Sequence, residues 1–264
     1  TDDTVIRREL RQMDGSWLSS EAIEVSKTRL NRTGYFETVD VTTENVGATD
    51  DTVNVNTKVK ERPTGSISGG IGIGTDSGLT IQASISQNNL FGWGTRANIT
   101  SYENDYRKHM EIGYTPYFTV DNVSLGGRLY LDKYDGDDDE DVVDYTNHTY
   151  GATFNLGYPI SETWFVNYNL GIEKSKIKNN GTRFEQSDVF FSMYSKDATR
   201  SVNFLDYKLG FDITHNSLDK GVFPTSGNKQ TVSLTATTPN SDMHYYKATA
   251  ETYHYFPIDM YHEY

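Results

Sequence analysis

Cysteine is absent from the 264 residues. That excludes a disulfide scaffold and a thiolate metal site. Long hydrophobic runs are missing too: nothing approaches the ~18 apolar residues that a membrane helix needs. The chain is therefore either soluble or spans a membrane as strands, whose apolar residues are diluted by alternation. A mean hydropathy of −0.65 does not separate these two cases. Basic residues are scarce, 24 Lys and Arg against 37 Asp and Glu, giving a formal charge of −13. This argues against a nucleic-acid partner, because phosphate affinity rests on Lys and Arg clusters. Thr1-Asp2-Asp3 is acidic and no apolar segment follows it, so no signal peptide is expected at this point, and an exported protein would be a mature or cut chain. The six His are scattered without an HExxH pair, and there is no G-x-S-x-G elbow. No catalytic constellation emerges, so neither an enzyme nor a cofactor is expected.

What is present divides near residue 62. In residues 1–62, Asp3 is placed to cap a helix whose apolar positions Ile6, Leu10 and Met13 recur at helical spacing. Asp14-Gly15 breaks it. A second helix starts at Ser19 or Ser20, sets Ile23, Ser26 and Leu30 on one face, and stops at Gly34. Two strands follow, Tyr35–Thr43 and Val53–Lys60. Two helices on two strands make a marginal core, so an earlier strand is expected to be missing. The charged, turn-rich Lys60–Gly65 is the boundary, giving domains 1–62 and 63–264.

Beyond the boundary no helical period of useful length is found. Strand follows strand, each with strict alternation. In the first, Ile67, Ile71 and Ile73 oppose Ser66, Ser68, Gly70 and Gly72. In the second, Leu79, Ile81, Ala83 and Ile85 oppose Thr80, Gln82, Ser84 and Ser86. A later strand sets Val123, Leu125, Leu129 and Leu131 against Ser124, Arg128 and Asp132. Ten such strands are counted. Successive side chains point to opposite faces of a strand, so each has one oily and one polar face. The oily face meets either lipid or the core of a soluble sandwich or solenoid.

Two features favour lipid. Short connections at Asn88–Phe91, Pro116–Asn122, Pro159–Glu162 and Asp219–Gly227 alternate with mostly longer polar ones, Asp135–Asp144, Asn179–Arg200 and Pro239–His244, as in outer-membrane barrels. Aromatic residues such as Phe91, Trp93, Tyr117, Phe118, Tyr158, Trp164, Phe223 and Phe256 sit beside the short turns, where ring edges favour the membrane interface. Leu79, Ile81, Ile85, Leu125, Leu129 and Leu131 are thereby assigned to lipid. Glu111, Arg128, Asp132, Asp206, Lys208 and Asp212 are assigned to a wet lumen.

Two motifs resemble binding sites superficially. Gly70-Ile71-Gly72-Ile73-Gly74 has the glycines of a phosphate loop, but no helix follows it, and a glycine-rich strand is the better reading. The acidic run Asp135–Asp141 lacks the Gly and Glu that an EF-hand loop needs at its sixth and twelfth places, where Glu140 and Thr146 stand. It reads as a solvated loop, with a weak divalent-ion site as the alternative. The sequons at Asn98 and Asn147 read as chance in a chain rich in Asn and Thr.

The stretches RRELRQMDGSWLSSEAIEVSKTRLNRTGYFETVDV, VKERPTGS, QASISQNNLFGWGT, PYFTVDNVSLGGRLY and DKGVFPTSGNK resemble the BamA family, central subunits of bacterial outer-membrane assembly complexes. The resemblance implies a mainly β fold: a last POTRA domain lacking its first strand, then about ten of the sixteen strands of a transmembrane antiparallel β-barrel. It implies an assembly factor that folds and inserts barrel proteins through a lateral gate without ATP, with its POTRA domain in the periplasm. The gate strand would be Ile67, Ser68, Gly69, Gly70, Ile71, Gly72, Ile73 and Gly74. The implied partners are periplasmic lipoproteins (BamD among them), unfolded outer-membrane proteins and outer-membrane lipid. Asp14 matches the family's acidic position that contacts BamD, where Glu is more usual. The closing strand and the family's V-R-G-F loop are expected beyond Tyr264. A two-partner-secretion or TamA-type transporter is the nearest alternative, and a passive porin a more distant one.

Overall fold

The computed structural model describes residues 1–46, 52–75, 78–116, 123–136, 145–179, 181, 185–195, 200–219 and 224–257. The small domain begins with α1 (Asp3–Arg7) and α2 (Ser20–Thr33), followed by β1 (Phe36–Asn45) and β2 (Val53–Glu61), an antiparallel pair. Its core is Val5, Leu30, Tyr35, Phe36 and Val39, flanked by Ile6, Leu10, Val41 and Val59. The second helix follows expectation. Ser19 caps its N-terminus by accepting from the Ala22 N–H, Leu30 and Ser26 face inward, and Gly34 ends it at φ +71°. That left-handed turn is one that glycine adopts without the Cβ clash.

The first helix is shorter than its apolar spacing suggests. Asp2, not Asp3, is the cap, and its carboxylate accepts from the Thr4 N–H at 2.8 Å. The winding tightens at once: the N–H groups of Glu9 and Leu10 reach back only three residues, to Ile6 and Arg7. The Arg11 N–H then donates to the Ser26 hydroxyl at 2.7 Å instead of to an α-helical carbonyl. Met13 is therefore off the helix and 58% exposed.

The second part is a single ten-stranded antiparallel sheet in strict chain order. Its strands are β3 (Gly65–Gly74), β4 (Gly78–Leu90), β5 (Thr95–Glu103), β6 (Arg107–Thr115), β7 (Ser124–Asp135), β8 (Tyr145–Pro159), β9 (Trp164–Asn179), β10 (Ser201–Asn216), β11 (Gly227–Thr237) and β12 (Tyr246–Tyr255). Strands 9 to 16 residues long are sufficient for a tilted membrane crossing, which takes about 9–11. β3 and β12 are the edges, and no closed barrel forms within these ten strands. Among the described residues no helix is long and apolar enough to cross a membrane, which says nothing of strands.

The registers show what the alternation is for. Directly paired residues share a face, so a row can be followed across the sheet. Ile67 pairs Ile85, then Ile99, Ile112, Leu129, Ala152, Ile172 and Tyr207. Every member is apolar or aromatic. A parallel row runs Leu125, Leu156, Tyr168, Phe211, Leu234 and Ala248. These residues have no protein layer over them: Ile67 is 83% and Leu129 62% exposed. A soluble sandwich would bury such rows. An apolar band this wide, left uncovered, marks a surface made for a non-aqueous neighbour.

One expectation fails. The Asn179–Arg200 connection is not simply a polar loop, because it contains α3 (Glu185–Tyr194). Phe190 and Phe191 of α3 pack with Val202 and Phe204 of β10 and with Met243. Val202 and Phe204 lie on the face opposite the apolar rows, so α3 covers the only apolar cluster found there among the described residues.

Candidate functional site

Three places compete for function: the edge strand β3, the opposite polar face, and the seam between the small domain and the sheet. β3 pairs with β4 from Gly65↔Gln87 to Gly74↔Gly78 without a register shift. Its other edge pairs with no strand among the described residues. Ile67, Ser68, Gly69, Gly70, Ile71, Gly72, Ile73 and Gly74, nominated from the sequence, thus form one continuous strand with a row of available backbone N–H and C=O groups. An edge of that kind is a template for pairing with another chain. The phosphate-loop reading is unsupported, since these glycines are strand residues.

The six residues assigned to lipid share one face of the sheet. Leu79, Ile81, Ile85, Leu125, Leu129 and Leu131 all lie on the side of the apolar rows. The opposite side carries Ser68, Ser84, Thr100, Glu111, Tyr130, Gly151, Glu173 and Asp206 in one register row. Charged groups are tied across strands there. Asp132 accepts from Arg107 at 2.7 Å and lies 3.0 Å from His109; Glu111 pairs with Arg128 at 3.4 Å; Glu173 pairs with Lys208 at 2.7 Å and also accepts from Tyr130. These ties begin at β6–β7. Between β3 and β4 the only side-chain hydrogen bond among the described residues joins Ser66 and Ser86, at 2.7 Å.

The seam was not foreseen. The small domain rests on three of the short turns. Near the turn after β4, the Asp2 N–H donates to the Gly92 carbonyl at 2.8 Å and the Tyr35 hydroxyl to the Gly94 carbonyl at 3.3 Å. At the turn after β10, Arg32 donates to the Leu218 carbonyl at 3.4 Å. At the turn after β8, Glu162 accepts from Arg29 at 2.6 Å and from Arg11 at 3.1 Å. Arg29 also pairs with the buried Glu9 at 3.0 Å, so one guanidinium serves both domains. Gly94 is necessary here. It has φ +66°, and a Cβ on it would lie 2.4 Å from the Arg8 guanidinium. Burial alone would raise the Glu162 carboxyl, but the hydrogen bonds and charge of Arg29, then Arg11, outweigh it and hold the group below the usual carboxylate range. Arg29 and Glu162 are 133 residues apart, and no local pattern announces such a pair.

Asp14 lies away from this seam, in the turn between α1 and α2. Its side chain is 98% exposed, with Arg7 at 3.5 Å. It borders a groove lined also by Met13, Trp17, Leu18, Val53 and Val55, and Trp17 is 96% exposed. Of the interface aromatics, Phe91, Trp93, Tyr158, Trp164 and Phe256 are exposed near strand ends. Tyr117, Phe118 and Phe223 lie outside the described residues, as does the 137–144 part of the acidic loop. No group of three or more His, Asp or Glu among the described residues is arranged to hold a metal.

Comparison with known proteins agrees with this architecture. Residues 89–264 match the model of the Omp85 superfamily domain, and residues 1–62 that of the POTRA family, described as a surface antigen variable number repeat. The chain is 31% identical over 98% of its length to the outer membrane protein assembly factor BamA of Neisseria meningitidis serogroup B, of which it covers 33%. It is 33% identical over 68% of its length to the BamA of Buchnera aphidicola, of which it covers 29%. The chain thus spans about a third of the length of these curated relatives. The crystal structure of Haemophilus ducreyi BamA lacking POTRA domains 1–3 superposes with a TM-score of 0.72 at 36% identity, covering 96% of this chain and 48% of that one. CdiB from Acinetobacter baumannii shares the fold, with a TM-score of 0.56 at 13% identity over 95% of this chain and 46% of its own.

Proposed function

The chain belongs to the Omp85 superfamily of outer-membrane proteins with periplasmic POTRA domains, and from that premise we propose that it is the gate-bearing part of an assembly factor that folds and inserts β-barrel proteins into the bacterial outer membrane. The observation that carries the reading is β3. It is a glycine-rich edge strand whose backbone is available, next to an uncovered apolar band. In this reading an incoming unfolded outer-membrane protein adds a strand to β3, and its apolar side chains continue the rows that start at Ile67, Ile71 and Ile73. The energy comes from hydrogen bonding and lipid burial, so no ATP is consumed. The short turns face the periplasm together with the docked POTRA domain. Asp14 and the neighbouring Trp17 offer an exposed charge beside an exposed aromatic, a combination suited to a protein partner, and the expected partner is a periplasmic lipoprotein of the BamD kind.

The test uses the full-length protein in proteoliposomes with an unfolded barrel substrate, scoring folded product by its heat-shifted mobility on a gel. A disulfide between Ile71→Cys and the closing strand is expected to abolish insertion, and reduction to restore it. Full activity with the seam locked would remove the lateral gate from the mechanism. A two-partner-secretion transporter would instead pass a soluble substrate through the lumen and leave barrel substrates unfolded.

A further inference from the structure

A template must hold its own register before it can impart one. The alternation of β3 fixes which side faces lipid, because a one-residue slip against β4 would turn every isoleucine to the lumen. It does not exclude a two-residue slip. Along residues 65–74 there are five glycines, two serines and three isoleucines, and such a strand specifies register poorly.

Two glutamines of β4 supply what the β3 side chains lack. Gln82 pairs with Gly70 on the lumen side, and its side chain lies over the glycine: a Cβ there would meet Gln82 Nε2 at 2.9 Å and Cγ at 3.2 Å. Gln87 pairs with Gly65 on the lipid side, at the short-turn end, and a Cβ there would meet its Oε1 at 2.6 Å. That Oε1 is buried and has no hydrogen-bond partner among the described residues. In the observed register, partner numbers sum to 152, as in Gly70↔Gln82 and Gly65↔Gln87. Raising the sum by two places Gln82 over Gly72 but drives Gln87 against Ile67. Lowering it by two places Gln82 against Ser68 and leaves Gly65 opposite Ile85. Of these three registers, only the observed one puts a glycine under each glutamine.

We propose that Gln82 and Gln87 are positioning residues that key β3 to one register, each filling a notch left by Gly70 or Gly65. The inference rests on the gate reading for its purpose but not for its test. If β3 is the template, its register sets that of every strand added to it.

The test is disulfide mapping in the full-length protein, a clean background over this region because it holds no cysteine. Ser66→Cys with Ser86→Cys and Ser68→Cys with Ser84→Cys report the observed register. Ser66→Cys with Ser84→Cys and Ser68→Cys with Ser86→Cys report the two slips. Directly opposed positions fall within the ~4.4–6.8 Å Cα range of a disulfide and diagonal ones at about 7–8 Å do not. With both glutamines present, only the first two pairs are expected to close. In a Gln82→Ala, Gln87→Ala background, slipped pairs are expected to appear. In a Gln82→Met, Gln87→Met background they are expected to vanish again, because Met refills the notch. Slipped pairs absent from the alanine background, or equally present in the methionine one, would overturn the proposal. This pattern reads register whether or not the protein inserts barrels, so a failed gate and a failed key are distinguishable.

Discussion

Leu129→Arg tests the facing of the whole sheet. Leu129 lies five residues from the start of β7 and six from its end. At about 3.3 Å per residue and a tilt near 45°, it stands roughly 12 Å below one end of the strand, close to the middle of an apolar band about 25 Å tall. It is 62% exposed, flanked in its row by Ile112 and Ala152. No acidic residue shares that row, so an introduced guanidinium finds lipid and no partner. Arginine at the midplane of such a barrel costs about 2–4 kcal/mol, a factor of roughly 30 to 700 in the folding equilibrium. The control is Thr100→Arg, on the opposite face and directly paired with Glu111. There the charge meets water and a carboxylate, so a change under about 0.5 kcal/mol is expected. The assay is a urea titration of the full-length protein in lipid vesicles, followed by gel mobility and tryptophan fluorescence. A Thr100→Arg lesion larger than that of Leu129→Arg would invert the facing assignment.

Three further outcomes are expected. Because the Glu162 carboxyl is held low in the docked state, its contribution to docking is complete above the ordinary carboxylate range and is lost as pH falls through the depressed value; spin-label distances between the POTRA domain and the short turns should broaden in that acidic window. Glu162→Gln should broaden them at neutral pH and remove the pH dependence, and an unchanged distribution would show that the seam does not depend on this carboxylate. Asp14→Arg should weaken lipoprotein binding in a pull-down while leaving the POTRA melting temperature nearly unchanged, since one exposed carboxylate adds little stability; a large thermal shift would make Asp14 structural. Leu30→Ala, at a position with no exposure, should destabilise the POTRA domain by about 2–5 kcal/mol in a denaturant titration.

The sheet was legible in the sequence because its physics is local. The alternation at Leu79–Ile85 needs no partner to be seen, and when strands pair in order, local alternation becomes the row from Ile67 to Tyr207. What escaped was non-local. Arg29 and Glu162 meet only once ten strands have placed the β8–β9 turn beneath α2. The α3 helix was hidden because Val189, Phe190, Phe191, Met193 and Tyr194 bunch together instead of recurring at helical spacing, and because the face it covers, at Val202 and Phe204, departs from the polar rule that holds from Asp206 onward. The early end of α1 had a similar cause: its apolar residues keep period through Met13, but Ser26 on another helix takes the Arg11 N–H.

Arg29 holds Glu9 of its own domain with one nitrogen and Glu162 of the turn with another. It works as a ball shared by two sockets. Were the small domain to separate from the turns, the guanidinium would lose its outer partner and keep its inner one, and with Arg8 also 3.5 Å from Glu9 that buried carboxylate would keep its cations. By this pairing, separation at the joint would not by itself unpair a buried charge of the small domain.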